Sequence, residues 1–419
     1  MRVRTTTVAA GLAAVLALAA AGCGSSDGEP ASTDSPDAAA TGGTLVIWAD
    51  DKRSAALAPF AEKFGADNGV TVEVQAISKD QQTTFVTASQ QGSGPDVMVG
   101  AHDWIGNLVQ NGAIEPVQLT ADQTAGFADV AIQAVTFNGQ LYGVPYAMEN
   151  LALIRNTAFA PDAPATIEEL IATGQQLKAD GKVSEILCLQ VGQNGDAYHL
   201  YPLYTSAGGS LFGTTAEGDY DPAQLGVGTP ESIAAFEKIA TLGEKGAGAL
   251  KRSITPENSI ATFTSGKCAF LVSGPWAITD AKGANIAYDI SPVPGFAGGA
   301  PAQPFVGVQT FYVAAKGENK ALAQEFVANY TTGTDLAVAL YEAEPRPPAL
   351  TAALDQVAGA DPDLAKFQQA GQGGAVLPAI PEMAAIWDPF GKAEAAIVGG
   401  ADVASTMTAA GQTIAEQIK

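Results

Sequence analysis

The sequence predicts an α/β protein built on a largely parallel sheet. Short apolar runs alternate with stretches of helical length, and turn residues punctuate them at regular intervals. At 47% hydrophobic and 16% charged residues, the 419-residue chain has the composition of a globular protein with a large core. Thr44-Leu45-Val46-Ile47-Trp48 reads as the first strand, Ala49 to Arg53 as a loop, and 54–64 as an amphipathic helix. After Gly69, Val70-Thr71-Val72-Glu73-Val74 alternates as a strand does. A second helix is expected over 80–91, and a third strand, Asp96-Val97-Met98-Val99-Gly100, follows Gly94-Pro95. In such a sheet ligands bind beyond the carboxyl ends of the strands, so the loops after Trp48 and Val99 are candidate binding loops. Further on, Asn138-Gly139 predicts a type I′ hairpin. Thr166 with Glu169 predicts a capping box. Thr229-Pro230 and Thr255-Pro256 predict helix starts. From Thr229 the chain reads as largely helical, with strands near Cys268 and near Val306 and Tyr312, and 402–419 reads as a terminal helix.

Ahead of the globular body, Arg2 and Arg4 precede an apolar run of Ala, Leu and Val that ends in Ala20-Ala21-Gly22-Cys23 and turns polar at Gly24-Ser25-Ser26-Asp27. A basic start, an apolar middle and a small-residue cut site predict an export signal over 1–22. About 14 apolar residues fall short of the ~20 needed to span a bilayer. The cysteine directly after the cut site resembles the lipobox of bacterial lipoproteins. That resemblance implies a lipid on Cys23 and a protein held at the extracellular face of the cell membrane. Residues 23–42, rich in Gly, Ser, Asp, Pro, Ala and Thr, read as a flexible tether.

Composition narrows the partners. A net charge of −23 is poorly suited to nucleic acid or polyanions and leans towards a neutral or cationic ligand. Only His102 and His199 represent histidine, and no Cys/His cluster, nucleophile elbow or phosphate loop occurs, so no metal, cofactor or catalytic centre is expected. Once Cys23 is set aside, Cys188 and Cys268 remain, each in a short apolar run that reads as a buried strand. In an oxidising compartment they form a disulfide or, alternatively, serve as two small core hydrophobes.

Pro304-Phe305-Val306-Gly307-Val308 resembles the crossover strand of the maltose-binding-type extracellular solute-binding proteins of ABC importers. Leu45-Val46-Ile47-Trp48, Gly94-Pro95-Asp96, Ala101-His102-Asp103, Asn138-Gly139, Leu189-Gln190, Tyr201-Pro202-Leu203, Ser273-Gly274-Pro275-Trp276 and Ile380-Pro381-Glu382-Met383 agree in order over nearly all of 43–419. The resemblance implies the two-lobed periplasmic-binding-protein fold of type II, with the ligand in a cleft. One lobe would comprise 43–147 and 311–356, the other 152–305 and 363–419. Hinge crossings would lie near 148–151, 306–310 and 357–362. Both core cysteines would then fall in the second lobe.

Sugars need planar donors and acceptors at their hydroxyl edge and aromatic rings under their faces. The resemblance assigns hydroxyl contacts to Asp51, Lys52, Asp103, Glu149 and Asp196, and stacking to Tyr198, Trp276 and Trp387. Trp104 stands where the family pattern has a basic residue, Gly100 replaces a tryptophan and Gly391 an arginine. These departures imply a relocated aromatic and fewer cationic donors, with Arg346 at the cleft rim and Gln309 on the crossover strand as further candidates. Trp48, inside a strand, reads as core.

The implied function is the lipid-anchored, monomeric substrate-binding component of a carbohydrate importer, taking maltose or maltodextrins to permease subunits without chemistry. One alternative is the same role for trehalose or another oligosaccharide. A distant one is a glycoside hydrolase using paired carboxylates.

Overall fold

The computed structural model describes residues 43–215 and 220–419. The signal 1–22, the tether 23–42 and Cys23 lie outside the described residues. The α/β class holds. Strands β1 (Thr44–Ala49), β2 (Thr71–Ala76) and β3 (Val97–Ala101) are parallel in the order β2-β1-β3, joined by helices α1 (Asp51–Asn68) and α2 (Gln81–Gln91). Leu45, Ile47, Trp48 and Ala49 are all buried, as expected for a strand covered on both faces.

The loop expected over 49–53 shrinks to one capping residue. The Asp50 carboxylate accepts the Arg53 amide at 2.9 Å, so α1 opens at Asp51. The helix closes at Gly69, whose φ of 66° returns its amide to the Gly65 carbonyl. Asn138 and Gly139, at φ 50° and 75°, form the tight turn of the predicted hairpin.

Strand β4 (Val144–Asn150) leads to β5 (Ala152–Asn156), where the chain leaves the first sheet. Strand β5 pairs antiparallel with both β6 (Phe270–Ser273) and β7 (Tyr288–Ser291). Strand β8 (Phe305–Ala314) then returns the chain and pairs antiparallel with β3 on one side and β4 on the other. Around β5 to β7 pack helices α3 (Ile167–Ala179), α4 (Ala197–Ser206), α5 (Pro230–Ala240), α6 (Trp387–Val398) and α7 (Val403–Gln417).

Three local expectations change. The run at 186–189 is not a strand, because Cys188 makes only a single bridge to Leu271. Thr255-Pro256 opens a turn, not a helix. The Asn258 side chain accepts the Thr255 amide at 2.9 Å, and helix begins only at Ser259. Glu169 reaches past Thr166 to the Ala165 amide at 2.8 Å, so the Thr166 cap lacks its reciprocal bond.

The apolar interior falls into separate clusters. One gathers Leu45, Phe64, Val99, Phe311 and Phe326 around the parallel sheet. Another gathers Leu153, Leu200, Phe236, Phe390 and Ile414. A smaller third holds Ile154, Phe263, Leu271 and Ile278 around the disulfide between Cys188 and Cys268, whose Cα atoms are 6.3 Å apart. Both cysteines are fully buried.

The disulfide closes a loop with a sequence separation of 80 residues. Restricting a loop of that size in the unfolded chain is worth about 4.5 kcal/mol. Denaturant unfolding of the Cys188→Ala/Cys268→Ala protein is expected to show a loss of that order. An unchanged midpoint would show that the bridge makes no net contribution to stability.

Candidate ligand-binding site

The site forms where β8 crosses between β3 and β4. Gly307 of β8 stands opposite Glu149 of β4, and Gln309 opposite Ala101 of β3. Residues 307 and 309 share one face of the pleat. A Cβ at Gly307 would lie 2.9 Å from the Glu149 Cγ, so glycine there lets the carboxylate lie across the strand. Gln309 Nε2 donates to Glu149 Oε1 at 3.2 Å.

Beside this crossing is a cavity of about 310 Å³, lined among others by Asp103, Trp104, Glu149, Tyr198, Gly307 and Trp387. Five of the predicted site residues therefore meet in one space. A larger cavity of about 600 Å³, beside the 136–141 hairpin and the segment 376–380, has no charged side chain in its lining. Rings and carboxylates converge only in the smaller one of the two.

Strand β3 ends in a short 3₁₀ turn, His102–Trp104, which presents Asp103 and Trp104 to the cavity. His102 fixes that turn. Its Nδ1 accepts the Val308 amide at 3.1 Å and its Nε2 donates to the Leu377 carbonyl at 2.9 Å. Complete burial drives its pKa down to about 4, so the ring is neutral and holds this tautomer. The Trp104 ring lies over Gly100, where any Cβ would overlap it. The ring thus occupies the space that a side chain at 100 would fill, which is the physical form of the relocated aromatic.

Asp103 is buried, and burial, reinforced by the Glu149 charge, raises its pKa to about 7. The Trp387 indole N–H hydrogen-bonds its carboxyl and works in the opposite direction. Near neutrality Asp103 therefore passes between an acid that donates and accepts and a carboxylate that only accepts. The Tyr198 hydroxyl is buried without a hydrogen-bond partner. Burial first, then Glu149, push its pKa well above the ordinary value, so it stays a donor.

Other predicted residues do not line the cavity. Arg346 reaches Glu149 through Nε and Glu344 through a terminal nitrogen, and its guanidinium lies 5.1 Å over the Trp276 ring. Lys52 Nζ is 3.4 Å from the other Glu344 oxygen, and Arg53 comes within 3.6 Å of Glu344. Asp51 is exposed and accepts the Ser78 hydroxyl at 2.7 Å, away from the cavity. Asp196 caps α4 through the His199 amide at 2.9 Å, bonds the His199 ring and accepts from Gln190. Burial acts to raise the pKa of Asp196, but His199 and these hydrogen bonds outweigh it and hold it below the usual range. Its amide in turn donates to Glu394 at 2.8 Å, a fully buried carboxyl whose pKa desolvation and the Asp196 charge push well above the usual range.

Gly391 has a steric reason. A Cβ on it would lie 2.8 Å from the Asn194 carbonyl, because the loop carrying Gly195, at φ 77°, packs directly on α6. No arginine side chain fits there. Sequence reasoning missed Gly307, Gln82 and Leu377 as lining residues and Glu344 as the hub of the charges. Only the register of β8 against β4 would have pointed to Gly307. Glu344 carried no signal beyond its place next to Pro345.

The pH response follows from the signs. Asp103 favours the folded state while protonated, so its contribution is complete below about 4 and is lost as pH rises through about 7. His102 acts oppositely, losing stability as pH falls from about 6.5 towards 4. The two oppose each other between about pH 4 and 6.5, and Asp103 acts alone only from about 6.5 until its titration ends just above 7. Thermal melts over that window should show stability falling with pH, and Asp103→Asn should flatten the slope. An equal slope in the variant would remove Asp103 as its source.

A family model described as bacterial extracellular solute-binding protein matches residues 59–369. The chain is similar to the galactooligosaccharide-binding protein of Bacillus subtilis, at 28% identity over 97% of this chain and 96% of the relative. It is 28% identical to the maltodextrin-binding protein MdxE of the same organism, over 90% and 88% of the two chains. It is 26% identical to a maltooligosaccharide ABC transporter solute-binding lipoprotein of Streptococcus pneumoniae, over 82% and 81%. These relatives are binding proteins, not enzymes, and the chain belongs to the family of bacterial extracellular solute-binding proteins.

Proposed function

We propose that the protein is the substrate-binding component of an ABC carbohydrate importer and that it binds maltose or maltodextrins. The observation that carries this is the cavity itself, in which Trp104, Tyr198 and Trp387 meet Asp103 and Glu149. Rings suit the apolar faces of a pyranose, and carboxylates with the unpartnered Tyr198 hydroxyl suit its edge. The names of two relatives, a maltodextrin-binding and a maltooligosaccharide-binding protein, support the same ligand class.

In this reading the lobes 43–147 with 311–356 and 152–305 with 363–419 close about crossings near 148–151, 306–310 and 357–362. The ligand selects the closed form, and closure excludes water from the polar contacts. That form is the one presented to the permease. A lipid on Cys23, with 23–42 as tether, keeps the monomer at the extracellular face of the membrane. The solute-binding lipoprotein among the relatives supports that placement.

A second reading keeps the role and changes the sugar. Packing of Gly195 on Gly391 removes the arginine position of the maltose-binding pattern, and one relative is named for galactooligosaccharides. Calorimetric titration with maltose, maltodextrins, trehalose and β-linked galactosides separates the two. Binding of α-glucans is expected, weakened at least tenfold, about 1.4 kcal/mol, by Trp387→Ala. A response confined to galactosides or trehalose would replace the ligand, and release of shorter sugars over time would replace the binding role.

A further inference from the structure

Arg346 sits in a segment that leaves it little freedom. Pro345 fixes its own φ, and Pro347 bars the helical region to the residue before it. The strap is then fastened to the outer edge of β4. Met148 donates its amide to the Pro347 carbonyl at 2.8 Å, and Ala349 donates to the Tyr146 carbonyl at 3.0 Å. The side chain is consequently aimed at one place. There Glu149 and Glu344 hold its nitrogens, each of the three side chains only 11–12% exposed.

That place is the Trp276 ring. The guanidinium centre lies 5.1 Å from the ring centroid. Elsewhere the indole meets the edge of the His199 ring at 6.2 Å, and a Cβ at Gly274 would overlap it. Trp276 accordingly does not line the cavity, whereas Trp104, Tyr198 and Trp387 do. At about 310 Å³ the space is at the small end of the roughly 300–1,000 Å³ of small-molecule sites.

Resting on the carbohydrate reading, we infer that Arg346 sets the length of sugar the protein accepts. Its guanidinium occupies the face of Trp276 on which a further pyranose ring would stack, and so confines the ligand to the cavity between Trp104, Tyr198 and Trp387. A planar cation on an indole is a strong competitor for a sugar face. Moving it aside would also leave Glu149 without its cation in a poorly hydrated place, a heavy penalty for a longer ligand.

Calorimetry with glucose, maltose, maltotriose and maltotetraose tests this on the wild type, Arg346→Ala, Arg346→Lys, Trp276→Ala and the Arg346→Ala/Trp276→Ala protein. In the wild type, affinity is expected to stop rising beyond the disaccharide. Arg346→Ala should raise the tetraose-to-maltose affinity ratio at least tenfold. Arg346→Lys, which keeps a cation for Glu149 but not the plane, should raise it less. Adding Trp276→Ala to Arg346→Ala should abolish the gain, while Trp276→Ala alone leaves the ratio as it was. The same ratio in the wild type and both Arg346 variants, or a gain that survives loss of Trp276, overturns the assignment while leaving the sugar-binding reading intact. Silence of every protein towards every sugar overturns both.

Discussion

Everything at the site hangs on the antiparallel pairing of Phe305–Ala314 with two strands at once. The strand exchanges hydrogen bonds with 144–150 on one side and with 97–101 on the other. That double pairing brings the end of the parallel sheet within reach of the segment that leaves it. Glu149 and Asp103, far apart in sequence, then face one cavity. Gly307 is the small residue that lets the crossing carry a carboxylate, and Gln309 secures one of its oxygens.

Around this crossing the charges form a chain and not a scatter. Lys52 and Arg53 meet Glu344, Glu344 meets Arg346, and Arg346 meets Glu149. In partly buried surroundings such a chain costs desolvation at every member. It persists because each carboxylate has at least one cation and the segment bearing Arg346 is held by backbone bonds to β4. The arrangement gives direction more than stability. It fixes which oxygens and which ring faces remain open to a ligand.

The aromatic arrangement obeys a similar economy of space. Two indoles lie over glycines, Trp104 on Gly100 and Trp276 near Gly274. The Gly195–Gly391 contact lets a loop press on α6, where the Trp387 ring begins the helix. Large rings are positioned by what their neighbours lack.

The sequence by itself determined the local elements and the inventory of the site. The parallel β-α-β-α-β opening, the Asn138-Gly139 turn, the caps at Thr166 and Thr229 and the terminal helix from Asp402 were legible, because each depends on residues close in the chain. So was the identity of Asp103, Glu149, Tyr198 and Trp387 as candidates, since a motif keeps its chemistry wherever the fold puts it. Only the tertiary structure decided which of them share a space. Asp51 and Asp196 had the same credentials, yet Ser78 engages one and His199 with Gln190 the other. Arg346 had the credentials of a rim donor, yet its nitrogens meet Glu149 and Glu344 and its plane covers Trp276. Partnership between side chains separated by up to 292 residues, as Lys52 and Glu344 are, depends on strand register and on excluded volume. Neither quantity is carried by any short stretch of sequence.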